Sequence, residues 1–147
     1  MNKNNYLIEL TSNPKTDYGK RAFADQCHEQ KVFSAITELE SQVNNGGFQQ
    51  YFGNGAETSM FAPTALRAIG AEQCASIVEE ALALVPPALP SDLDARWEIM
   101  SSLPEPIMEQ LTALDDRFFG YPDDLTDLLF AFVAAHPDVF GPTPTEG

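Results

Sequence analysis

Between Ala71 and Val85 the chain reads AEQCASIVEEALALV. Cys74, Ile77, Val78, Ala81, Leu82 and Val85 recur at i, i+3, i+4, i+7, i+8 and i+11, one apolar stripe of a 3.6-residue period. Glu72, Gln73, Ser76, Glu79 and Glu80 take the other face. The spacing predicts an amphipathic helix whose stripe must be covered by neighbouring elements. Pro86-Pro87 terminates it, and Pro90 keeps the connector extended.

Upstream, the same period recurs. Ser59 to Ile69 reads as a helix, with Ala62, Leu66 and Ile69 on one side, Pro63 in the first turn and Gly70 as the stop. From about residue 20 to 43, Val32, Ile36, Leu39 and Val43 form a stripe, and Asn44-Asn45-Gly46-Gly47 is expected to end that helix. Phe48–Phe52 reads as one or two helical turns closed by Gly53-Asn54-Gly55. Tyr6–Leu10 fits either an extended segment or an early helix.

Downstream, Ser91 is the expected N-cap of a helix with Leu93, Trp97 and Met100 inward. Pro104 and Pro106 open the next, with Ile107, Leu111, Leu114 and Phe118 inward and Gly120 as its end. Pro122-Asp123-Asp124 opens the last, whose stripe is Leu125, Leu128, Leu129, Phe132 and Val133, and His136-Pro137 closes it. No stretch alternates with period two. The expectation is an all-α fold, a compact single-domain bundle of about six or seven short helices. Residues 1–19 read as a poorly patterned segment, 20–140 as the domain and 141–147 as a disordered tail. Leu39, Ile69, Ile77, Leu82, Trp97, Leu111, Phe118, Leu129 and Phe132 are the expected core.

The 147 residues carry 8 Lys and Arg against 22 Asp and Glu, a formal charge of −14. That excludes direct DNA or RNA binding as the main activity, since such binding needs a basic footprint. It disfavours anionic membranes and favours basic partners. The imbalance is not uniform: residues 1–31 hold five bases and four acids, whereas residues 32–147 hold three bases and eighteen acids. The acids are interleaved with apolar residues rather than blocked into a tail, which places them on the faces of ordered elements.

Little else in the chain points to chemistry. His28 and His136 are the two histidines, and no HExxH or Cys/His ligand set accompanies them. His136 falls in a last helical turn, where an imidazole suits the helix dipole. Cys27 and His28 are adjacent, and adjacent helical residues do not face each other. Gly53-Asn54-Gly55 lacks the Lys-Ser/Thr ending of a phosphate loop. Asn44–Phe52 reads as a helix stop and aromatic plug, the alternative being a polar pocket with Asn45, Gln49 and Gln50 as donors. No metal, no cofactor and no catalytic set is expected, so the chain is expected not to be an enzyme. Two cysteines, Cys27 and Cys74, fit a reducing, cytoplasmic setting, and MNKNNYLIELTS has no apolar run of signal-peptide length.

The carboxylates after Pro90 are the strongest signal. Asp92, Asp94, Glu98, Glu105, Glu109, Asp115, Asp116, Asp123, Asp124 and Asp127 are the candidate partner-binding residues, with Arg96 and Arg117 as the nearby bases. Glu105, Glu109 and Asp116 sit at i, i+4 and i+11, on one helical face, with a rise of about 6 Å between the first two. Like charges at this spacing cost a few tenths of a kcal/mol, so stability alone does not select them. Asp92, Asp94, Asp123 and Asp124 also suit first turns, where acids meet the positive end of the helix dipole.

VNNGGFQQYFGN (43–54), APTALRAIGAEQCASIVEEALALVP (62–86) and LDDRFFGYPDDLTDLLFAFVAAHPDVF (114–140) together resemble a family of small acidic bacterial all-α proteins. It is known as the DNA-mimic protein family because one branch mimics double-stranded DNA. The resemblance spans roughly residues 30–140, and NNGGF and YPDDL are its markers. It implies an all-α fold and a protein that occupies the DNA-binding face of a basic helix-turn-helix regulator, a transcription factor, and it brings no catalytic set. The runner-up binding role is an immunity protein that neutralises a basic nuclease toxin, and a carboxylate-metal hydrolase is a distant third. A homo-oligomer is compatible with either binding role.

Overall fold

The longest helix forms where the sequence carries two glycines. In the computed structural model, which describes residues 3–12, 22–55, 58–86 and 89–141, helix α2 runs His28–Asn54 after α1 (Lys3–Ser12) and a 3₁₀ turn at Phe23–Asp25. Asn44-Asn45-Gly46-Gly47 does not end α2; it kinks it. Gly46 (φ −157°) and Gly47 (φ +76°) leave helical geometry, and the helix restarts at Phe48. Gly47 is required twice. Its φ lies in the left-handed region, and a β-carbon there would collide with the Asp115 carboxylate.

The remaining elements are α3 (Ala62–Ala68), α4 (Glu72–Leu84), α5 (Leu93–Ser101), α6 (Glu105–Phe119), α7 (Leu125–Ala134) and α8 (Pro137–Phe140). All are helical, as expected. Kinked α2 is the spine: it packs against α3, α5 and α6, while α4 packs against α3 and α6, and α1 against α7. The aromatic cluster fills the centre. Phe48, Tyr51 and Phe52 are fully buried, with Phe48 stacked on Phe52 at 5.7 Å and edge-on to Phe118 at 5.9 Å.

Several expectations change in detail. The segment Tyr6–Leu10 is helical, with Leu7 and Leu10 buried, whereas residues 13–21 and 142–147 lie outside the described residues. The expected helix from residue 20 begins at His28. His136-Pro137 does not end the fold; His136 becomes the N-cap of α8. Asp92, not Ser91, caps α5. Leu93 is 55% exposed, and the inward positions of α5 are Arg96 and Met100. Of the expected core, Leu39, Ile69, Ile77, Leu111, Phe118 and Leu129 are buried, and Leu82, Trp97 and Phe132 are packed against the core but only partly buried.

Arg96 is 3% exposed. It points at the C-terminal end of α2, where helix carbonyls lack amide partners. Its Nε donates to the Phe52 carbonyl at 3.0 Å, Nη2 donates to the same oxygen, and Nη1 donates to the Pro90 carbonyl at 3.1 Å. Burial lowers the guanidinium pKa from its ordinary value, and the negative end of the α2 dipole opposes that loss.

Candidate functional site

The ten candidate carboxylates divide by what they touch. Asp92 accepts a bond from the Ala95 N–H at 2.9 Å and caps α5. Asp124 accepts from the Asp127 N–H at 3.0 Å and caps α7. Asp123 reaches across the fold to the first turn of α4, accepting the Cys74 N–H at 2.8 Å and the Gln73 side-chain amide at 3.4 Å. Asp115 accepts the Phe48 N–H at 2.8 Å, so it caps the restarted half of α2 from α6. Burial pushes its carboxyl above the usual range, and the Phe48 bond opposes that shift. Asp127 pairs with Lys3 at 3.0 Å, and that bond holds its carboxyl below the usual range.

The other five are different. Asp94, Glu98, Glu105, Glu109 and Asp116 are exposed and, among the described residues, make no hydrogen bond or ion pair through their side chains. Asp94 and Glu98 lie on α5 and the other three on α6. Glu105, Glu109 and Asp116 face away from buried Leu111, Leu114 and Phe118, so the core fixes their helix and leaves them in water.

Their lack of countercharge follows from where the arginines go. Beyond Lys31 the chain has only Arg67, Arg96 and Arg117 as bases. Arg67 holds Glu79 through both terminal nitrogens at 2.8 Å and Glu72 through Nε at 3.1 Å. Arg117 leaves α6 to pair with Glu80 of α4 at 3.0 Å. Arg96 is spent on backbone carbonyls. The three acids of α4 thus share two arginines, whereas Asp94, Glu98, Glu105, Glu109 and Asp116 on α5 and α6 have none.

A second constellation joins the two sequence markers. Asn44 Nδ2 donates to the Tyr121 hydroxyl at 2.9 Å, and that hydroxyl donates to Glu40 Oε2 at 3.2 Å. Tyr121 adopts φ +47°, a strained value for a non-glycine residue. Burial raises the Glu40 carboxyl above its ordinary value, the Tyr121 bond lowers it, and nearby Asp124 adds to the rise. Glu40 is not among the residues that composition and motifs single out; its signal is its position four residues after Ile36, on the edge of the apolar stripe.

Asn45 is exposed, and the other candidates have structural roles. Gln49 donates to the Met100 carbonyl at 2.9 Å, and Gln50 and Asn54 both donate to Gln42 Oε1. The Trp97 ring lies on Gly53, where a β-carbon would sit 2.6 Å from Cε2, and its Nε1 donates to Asn54 at 2.8 Å. Gly53-Asn54-Gly55 is therefore a seat for an indole. His136 Nδ1 lies 2.8 Å from the Phe132 carbonyl. Cys27 is the exposed N-cap of α2, and burial pushes the Cys74 thiol up to about 12. Among the described residues no group of three or more His, Cys, Asp or Glu side chains is placed to hold a metal ion. No described helix is long and apolar enough to cross a membrane.

An all-α domain with acids capping its helices and unpaired acids along α5 and α6 is an acidic all-α protein in its class. The chain belongs to the DMP19-like protein family, whose model matches residues 25–136, the whole span from the 3₁₀ turn to the end of α7. No protein of curated function and no solved structure matches it.

Proposed function

We propose that this protein is a DNA mimic: an acidic binding protein that occupies the DNA-binding face of a basic regulator such as a helix-turn-helix transcription factor. The observation that carries the reading is the unpaired acids of α5 and α6. Asp94, Glu98, Glu105, Glu109 and Asp116 have no countercharge among the described residues, while Arg67 and Arg117 pair with the acids of α4. On packed α6, Glu105 and Glu109 are about 6 Å apart in rise and Glu109 and Asp116 about 10.5 Å, a fixed negative row for a protein evolved to meet phosphates. Membership of the DMP19-like family supports the same direction. In this reading the protein works in the cytoplasm by binding alone, without cofactor or catalysis.

The test begins with a pull-down from native cytoplasm at low and high salt. The mimic reading expects a basic DNA-binding protein that is retained at low salt and released at high salt, because exposed pairs are screened over about 8 Å at physiological ionic strength. The recovered partner must bind this protein or its labelled DNA, never both together. Recovery of a nuclease that loses activity in the complex would assign the immunity role instead, and a ternary complex with DNA would contradict mimicry.

A further inference from the structure

Glu40 has a second oxygen with no partner. Its Oε2 accepts the Tyr121 hydroxyl, but among the described residues Oε1 has neither a hydrogen bond nor a cation. A partly desolvated carboxylate without a countercharge is unfavourable in a fold unless something supplies one. Beside it lies a cleft of about 290 Å³ between α1, α2 and α7. Leu7, Ile8 and Leu129 line its apolar side, and Glu40, Ser41 and Thr126 are among its polar lining. The Ser41 and Thr126 hydroxyls bond no other described side chain or backbone group, so both can accept.

We propose that this cleft binds an alkylammonium group, its cation on Glu40 Oε1 and the hydroxyls of Ser41 and Thr126, its methylenes along Leu7, Ile8 and Leu129. The donor set selects the ligand class. An ammonium has three donors, which matches one carboxylate oxygen and two hydroxyls. A divalent metal needs six or so oxygen ligands with more carboxylate charge, which one glutamate does not supply. A neutral alcohol could fill the apolar side but would leave Glu40 uncompensated. The group comes either from a free small amine or from a lysine side chain of a bound protein. The site is independent of the α5–α6 face, so the mimic reading can fail without affecting it.

The test titrates butylammonium chloride, 1-butanol and a capped Gly-Lys-Gly peptide separately into the full chain at physiological salt, followed by amide chemical shifts. Butylammonium should shift Leu7, Ile8, Ser41 and Thr126 in a saturable way, and butanol should not. Glu40→Gln keeps the Tyr121 bond and should weaken butylammonium by about tenfold or more, the loss of one charge-assisted bond. Thr126→Leu, which fills the cleft without touching the charge, should also abolish binding, and the thermal melt of each variant checks its folding. Saturable peptide binding as tight as butylammonium assigns the lysine source; butylammonium alone assigns a free amine. Absence of saturable shifts with both amines, equal shifts with butanol, or undiminished binding in folded Glu40→Gln would overturn the proposal.

Discussion

Asp115 shows how one carboxylate can look like surface in sequence and act as a cap in the fold. It sits on α6, yet it accepts the Phe48 N–H and fills the space that a β-carbon at position 47 would need. Asp115→Ala should cost about 1–2 kcal/mol in urea unfolding, the usual loss for a capping acceptor. Asp115→Asn keeps an acceptor and should cost much less; equal costs would mean that the bond contributes nothing. Glu40 and Asp115 are both raised by burial, so their sign is opposite to that of an ion-paired acid. The folded state holds each proton more tightly than the unfolded chain does. Their contribution to stability is full below about pH 4, where unfolded carboxylates titrate, and is lost as pH rises through the raised folded values. Asp127, lowered by Lys3, works the other way. Glu40→Gln should therefore gain on wild type as pH rises from 4 to 7 in a series of denaturant melts, by about the shift's worth of linkage. A stability difference that is flat with pH would contradict the burial of Glu40.

At the scale of elements, most helices were legible because their apolar spacing and stop residues are local. Residues 71–85, 104–120 and 122–133 carry stripe, opening residue and stop within one window, and α4, α6 and α7 follow them closely. The errors arise where the deciding partner is distant. Asn44-Asn45-Gly46-Gly47 has the chemistry of a stop, but Asp115, 67 residues away, satisfies the next amide and lets the helix resume. In α5 the spacing of Leu93, Trp97 and Met100 sets the expected inward side, and Arg96 is no part of it. Arg96 turns inward because the C-terminal end of α2 offers the Phe52 carbonyl, 44 residues away. Arg96→Met, which keeps apolar volume but no donor, should cost about 2–4 kcal/mol for stranding the Phe52 and Pro90 carbonyls. Arg96→Lys should recover only part of that, because a single ammonium cannot reproduce the guanidinium fork. Full rescue by lysine, measured by thermal or urea melts, would show that charge alone matters there.

Over the whole molecule, the sequence located the acid excess but could not sort it. Caps and ion pairs depend on which helices meet. Asp123 serves α4 and Asp127 meets Lys3 only in three dimensions, so five of the ten candidate carboxylates also bond within the fold. The same packing assigns Arg67 and Arg117 to α4 and strips α5 and α6 of countercharge. Two triple variants separate surface chemistry from net charge. Glu105→Gln, Glu109→Gln, Asp116→Asn removes three charges from the unpaired face; Glu72→Gln, Glu79→Gln, Glu80→Gln removes three from the paired one. The first should leave stability level or slightly higher through relieved repulsion. The central measurement is a competition titration of labelled DNA and its recovered partner against wild type and both variants at two salt concentrations. Mimicry predicts that the α6 variant loses competition, most at low salt, while the α4 variant competes nearly as well as wild type. Equal competition by wild type and the α6 variant at both salts would contradict it.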